Sequence, residues 1–168
     1  SDRVVFTGPG KRDEELAAAV EAGVRVVTVE SPGELRRLAR IAEGLGRRQP
    51  ILLRAAVTRS ADPGRAGNSG VEISRKFGMD PRDLRTAADE AVASPWLEPL
   101  GLHAFGASNV TDATILATHV EATVETAILV AATAGFELRL VDAGGGLGIP
   151  YGAGDPTLDL RALGIRLA

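Results

Sequence analysis

The sequence predicts an α/β fold in which the strands of a parallel sheet alternate with helices packed on its outer side. Three observations point there. Short apolar runs recur between segments of helical spacing, and glycine-rich turns follow several of those runs. Aromatic residues make up only 4% of a chain that is 45% hydrophobic, which suits aliphatic strands under helices better than a β-sandwich.

The elements follow in order. Val4-Val5-Phe6 is a short strand delivered into Thr7-Gly8-Pro9-Gly10. Asp13 to Ala22 has helical spacing through Leu16, Ala19 and Val20, acidic residues in its first turn and Gly23 beyond its end. Val24 to Val29 is the second strand. Ser31, Pro32 and Glu34 form a capping-box signal with proline at the first helical position, and that helix runs to about Leu45. Ile51 to Val57 is a third strand, interrupted by Arg54, whose charge needs a partner wherever it is buried.

Residues from about Arg59 to Arg75 are rich in Gly, Ser, Asp and Asn, and their length suits a lid. Asp80 caps a helix with Pro81 behind it, and Ser94-Pro95 ends that helix after Ala93. Leu100 to Phe105 is a fourth strand. Thr111 or Asp112 opens a long helix that ends near Gly135, Leu138 to Val141 is a fifth strand, and Leu158 to Leu163 is a last helical pattern. Right-handed crossovers join such units. Periodicity leaves a closed barrel and an open doubly wound sheet equally available, and five strands do not close the usual eight.

Composition excludes several functions. A formal charge of −3, with arginines interleaved among Asp and Glu, offers no field for nucleic acid. The absence of cysteine removes disulfides, thiolate metal sites and a cysteine nucleophile, and suits a reducing cytoplasm. No signal-peptide pattern and no uninterrupted apolar run of spanning length is evident, so no membrane role is expected. No histidine or carboxylate pattern suggests a metal. A small-molecule partner is the natural expectation.

The clearest chemical feature is Asp142-Ala143-Gly144-Gly145-Gly146-Leu147-Gly148-Ile149-Pro150-Tyr151, directly after a strand. Three successive glycines leave amides unshielded, so that they can wrap an anion such as phosphate; a tight turn is the plainer reading. Gly101 to Asn109 is the second cluster, at the strand end where α/β proteins bind ligands. There Ser108 is a phosphate donor or a helix cap, Phe105 a stacking surface or a core residue, and His103 an acid-base group or a structural histidine. His119, on the long helix, reads as structural or solvent-facing. Arg54 either serves a ligand or pairs with a nearby carboxylate. The two lysines, Lys11 and Lys76, both fall in loops, where neither is placed to form a Schiff base.

Taken in order, Arg3 to Lys11, Ser31-Pro32-Gly33-Glu34-Leu35, Leu52-Leu53-Arg54, Lys76-Phe77-Gly78, Gly101 to Asn109 and Asp142 to Tyr151 resemble one family across nearly the whole chain. It is the ornithine/diaminopimelate/arginine decarboxylase group of fold type III pyridoxal-phosphate enzymes, related to alanine racemase. The resemblance implies an incomplete (β/α)₈ barrel, with residues 1–168 covering approximately strands three to seven of one domain. It implies pyridoxal 5′-phosphate as cofactor, with Ser108 and Gly144, Gly145 and Gly146 at its phosphate and Arg54 near its ring. Phe105 stands where most relatives have a histidine stacked on the ring, so stacking survives and the proton does not. His103 matches an earlier, non-stacking histidine of the diaminopimelate branch.

By the same resemblance the Schiff-base lysine would lie upstream of Ser1. The Glu-Pro-Gly-Arg segment and the C-terminal β-domain of a homodimer would lie beyond Ala168. The implied reaction is removal of an amino acid's α-carboxylate as CO₂, from ornithine, diaminopimelate, arginine or a carrier-tethered amino acid. A non-catalytic cofactor-binding protein and a racemase-type enzyme remain the alternatives. Five strands of eight are also expected to expose sheet edges and an apolar inner face.

Overall fold

The structure, a computed structural model, describes residues 3–56, 77–106 and 108–168. The lid candidate at 59–75 and Lys76 lie outside the described residues. Five strands, β1 (Val5–Phe6), β2 (Val26–Val29), β3 (Gln49–Arg54), β4 (Leu97–His103) and β5 (Leu140–Asp142), form one sheet. All pairs are parallel and the order is β1-β2-β3-β4-β5. A doubly wound sheet reverses its order part-way, whereas a barrel wall advances strand by strand. The strand order therefore decides the question that periodicity left open, and the sheet is part of a barrel.

Helices α1 (Asp13–Glu21), α2 (Pro32–Gly44), α3 (Pro81–Ala93), α4 (Ala113–Ala134) and α5 (Leu160–Leu167) alternate with the strands. The first four contribute to one apolar layer in which Leu16, Leu35, Leu38, Leu84, Ala87 and Ala127 meet Val27, Val29, Ile51, Leu53 and Leu102. Because side chains alternate along a strand, Val26, Thr28, Leu52 and Arg54 belong to the other, inner face. The inner face was expected to be open, yet Val26, Thr28 and Leu52 are 0% exposed. At the β1 edge the expectation holds, with Val4 and Val5 exposed.

Local signals set the helix starts. Ser31 Oγ accepts from the Glu34 amide at 3.1 Å, Asp80 caps Asp83, and Asp112 caps Thr114 and Ile115, each such cap stabilising its helix by about 1 kcal/mol. Gly135 closes α4 at φ 81°, in the left-handed region that glycine occupies without steric cost. Several boundaries shift from expectation. β2 begins at Val26, because Val24 is still bonded back to Ala19 in the turn that ends α1. β4 spans Leu97–His103 and not 100–105, and α5 spans Leu160–Leu167 behind the cap Asp159. One composition reading also changes: α4 is long and apolar enough to cross a membrane by length and composition. In the fold it is a sheet-packing helix that buries Leu116, Ala117, Ala122, Thr123, Ala127 and Ala131.

Candidate functional site

The carboxyl ends of β2 to β5 carry a row of polar side chains. Arg54 stands in register with His103, and His103 with Asp142, while Glu30 follows the last residue of β2. Arg54 Nη1 donates to both Glu30 oxygens, at 2.7 and 2.9 Å, with both side chains 9% exposed. Phe77 lies under the same guanidinium, 5.2 Å from its centre. The buried charge on β3 is thus satisfied by a carboxylate.

His103 is buried, and its Nδ1 lies 3.1 Å from Asp142 Oδ2. The His103 ring and, next, the Gly144 amide hold the Asp142 carboxyl below its ordinary range, against the opposing effect of burial. Asp142 Oδ1 accepts from Gly144 N at 2.8 Å, and Asp142 O accepts from Ala104 N at 2.8 Å. The Asp142 carbonyl thus ties β5 to the chain leaving β4, while its carboxylate fixes the glycine turn that follows.

The glycine triplet folds against the end of β4. Gly144 has φ 73°, and a Cβ there would meet Ala104 O at 2.7 Å and Phe105 Cδ2 at 2.8 Å, so both backbone angle and space demand glycine. Gly145 beside it faces open space, with nothing within 4 Å of where its Cβ would stand. Beyond the triplet, Val110 N donates to Gly146 O, Gly148 N to Val110 O, and Ile149 N to Asn109 Oδ1, each at 2.8 Å. Val110 and Leu147 form an isolated parallel bridge. The two loops thus extend the pairing of β4 with β5 outward.

The predicted residues Arg54, His103, Phe105, Ser108 and Gly144 to Gly146 all fall at this one end of the sheet. Ser108 is exposed, and Asp112, not Ser108, caps α4, so the plainer reading of Ser108 as a cap does not hold. His119 was misread. From α4 its Nε2 lies 3.0 Å from Ala143 O, and its ring fills the space where a Cβ on Gly106 would stand, with Nδ1 2.5 Å from that point. The missing side chain at Gly106 was the one sequence signal for this contact.

Lys11, expected in a loop, is in a loop but buried. Its Nζ donates to Thr28 O and to Glu34 Oε1, both at 2.7 Å. Glu34 therefore does not complete the reciprocal box on Ser31. Its oxygen receives the Glu30 amide, at 3.3 Å, and the Lys11 ammonium.

Comparison with known proteins places this geometry. Residues 1–165 match the family described as pyridoxal-dependent decarboxylase, pyridoxal binding domain. The chain belongs to the pyridoxal-dependent decarboxylases. Among its curated relatives within these decarboxylases, it is 36% identical over 160 residues to a diaminopimelate decarboxylase of Methanothermobacter thermautotrophicus, covering 95% of this chain and 36% of the relative. It is 31% identical to the 2-[(L-alanin-3-ylcarbamoyl)methyl]-2-hydroxybutanedioate decarboxylase of Staphylococcus aureus, covering 90% and 37%. The crystal structure of the diaminopimelate decarboxylase from M. jannaschii superposes with a TM-score of 0.83 at 25% identity, over 99% of this chain and 38% of that one. The chain thus spans little more than a third of the length of these pyridoxal-dependent decarboxylases.

Proposed function

We propose that the protein containing this chain is a pyridoxal-phosphate-dependent carboxy-lyase that removes the α-carboxylate of an amino acid. The observation that carries the reading is the apposition of the glycine turn and Phe105, with Gly144 packed on the Phe105 ring and Gly145 facing open space. A ring-bearing phosphate ester needs such a pair of surfaces, a concave set of amides for the phosphate and a flat apolar face for the ring.

In this reading the Gly145 and Gly146 amides and the Ser108 hydroxyl bind the phosphate. Phe105 covers one face of the ring and excludes water from it. Arg54, its charge balanced by Glu30, lies near the ring's edge as a fixed polar neighbour, and His103 with Asp142 braces the strand ends beneath. When bound, pyridoxal phosphate supplies the electron sink that lets the carboxylate leave as CO₂. The names of the relatives support a substrate with a second polar terminus: diaminopimelate first, then ornithine, arginine or a carrier-tethered amino acid. The same reading extends to strands three to seven of a barrel, a cytoplasmic setting and a homodimer.

The test is titration of the protein with pyridoxal phosphate and with pyridoxal, followed by CO₂ release across those amino acids. The reading expects clear preference for the phosphorylated form, a loss of about tenfold in F105A, and near-normal binding in F105H, since aromatic stacking contributes roughly 1 kcal/mol beyond burial. Equal binding of both forms sinks it. Phe105 favours one second reading, a cofactor-binding protein without turnover, because it takes the place of a proton-bearing histidine; binding without CO₂ release from any of these amino acids decides for it.

A further inference from the structure

His119 lies outside every role assigned so far, yet it touches both loops of the site. A carbonyl oxygen can only accept, so the Nε2 atom that stands 3.0 Å from Ala143 O carries the proton. The amide on the other side of that same peptide unit, Gly144 N, donates to Asp142 Oδ1 at 2.8 Å. The Ala143–Gly144 peptide is therefore held at both ends, by an imidazole from α4 and by a carboxylate from β5. A peptide held in this way cannot flip, and its orientation sets the direction of the Gly145 and Gly146 amides that follow. Gly106 completes the arrangement, since only a residue without a side chain admits the ring against β4.

We infer that His119 is a positioning residue for the anion-binding amides of the glycine turn. It acts through the Ala143 carbonyl without touching the ligand. The inference rests on the proposed function, because the anion is taken to be the cofactor phosphate.

The test compares pyridoxal phosphate with pyridoxal in H119A, H119Q and H119N. A glutamine places an N–H donor near the position of Nε2, whereas an asparagine falls short of it. H119A and H119N are expected to weaken pyridoxal phosphate about tenfold, the worth of one well-placed hydrogen bond, and to leave pyridoxal within about twofold. H119Q is expected to recover most of the loss. A general structural role would weaken both ligands alike and would not be rescued by glutamine. Should H119A fail to fold, the pair H119Q and H119N carries the comparison. Unchanged preference for the phosphate form in H119N overturns the positioning role and leaves the proposed function standing. Absence of that preference in the unmodified protein overturns the proposed function, and this role with it.

Discussion

The Lys11 ammonium meets the Glu34 carboxylate at 2.7 Å, and neither side chain is more than 4% exposed. A buried ion pair is costly to break and cheap to replace, because the stranded charge, more than the lost attraction, sets the penalty. K11M is expected to lower unfolding free energy by about 3–5 kcal/mol. K11M/E34Q is expected to lose clearly less than the two single variants combined. Urea denaturation of the four proteins measures the coupling, and strict additivity would contradict the pairing.

Thr28 presents the opposite situation. Its hydroxyl is fully buried on the inner face and has no hydrogen-bond partner among the described residues. An unpaired buried hydroxyl costs about 1–3 kcal/mol, and valine has nearly the same shape. T28V is therefore expected to raise stability by about 1 kcal/mol, read as a higher denaturation midpoint at unchanged slope. A destabilised T28V would mean that the hydroxyl is satisfied.

Gly106 and His119 form a matched pair, since a methyl on one would occupy the ring of the other. G106A alone is expected to cost about 1–3 kcal/mol through overpacking. In an H119A background the same substitution is expected to cost far less. Thermal melts of the parent and the three variants close this cycle, and an equal penalty in both backgrounds would refute the contact.

The depressed carboxyl of Asp142 links stability to pH in a defined direction. A carboxyl whose folded value lies below its ordinary one stabilises the fold while ionised in both states, at neutral pH and down to the ordinary range near 3.8. That contribution is lost as pH falls from there through the lowered folded value. Asp142→Asn removes the titration while keeping an acceptor for the Gly144 amide. Acid unfolding of the variant is expected to show a shallower fall over this window, and an identical acid limb would show that Asp142 is not the group concerned.

What was legible in the sequence was local. Ser31, Asp80 and Gly135 end or begin helices through atoms one to four residues away, so their roles can be read from spacing alone. Alternating strand and helix segments carried the parallel sheet, and the motif order carried the family. What was not legible depended on partners far along the chain. Lys11 reads as a loop cation until Glu34 and Thr28 enclose it, 23 and 17 residues on. Glu34 has the spacing of a capping-box residue, but its oxygen goes to the buried Lys11 ammonium, a charge-assisted bond stronger than one to an amide. His119 looks like one more polar residue on a long helix until Ala143 arrives 24 residues later. Periodicity left the strand order open, because a βαβ unit has the same pattern whether its sheet closes or reverses; only the family resemblance implied the barrel that the order β1-β2-β3-β4-β5 bears out.

The bridge between Val110 and Leu147 has a kinetic consequence. Since each loop supplies backbone donors and acceptors to the other, neither can peel away without breaking bonds in both. Local opening at this end of the sheet is then a single cooperative event, with one free energy shared by residues some 40 positions apart. Amide deuterium uptake at Val110 and at Gly148 should accordingly run at one common rate, and a ligand gripping either loop should slow both together.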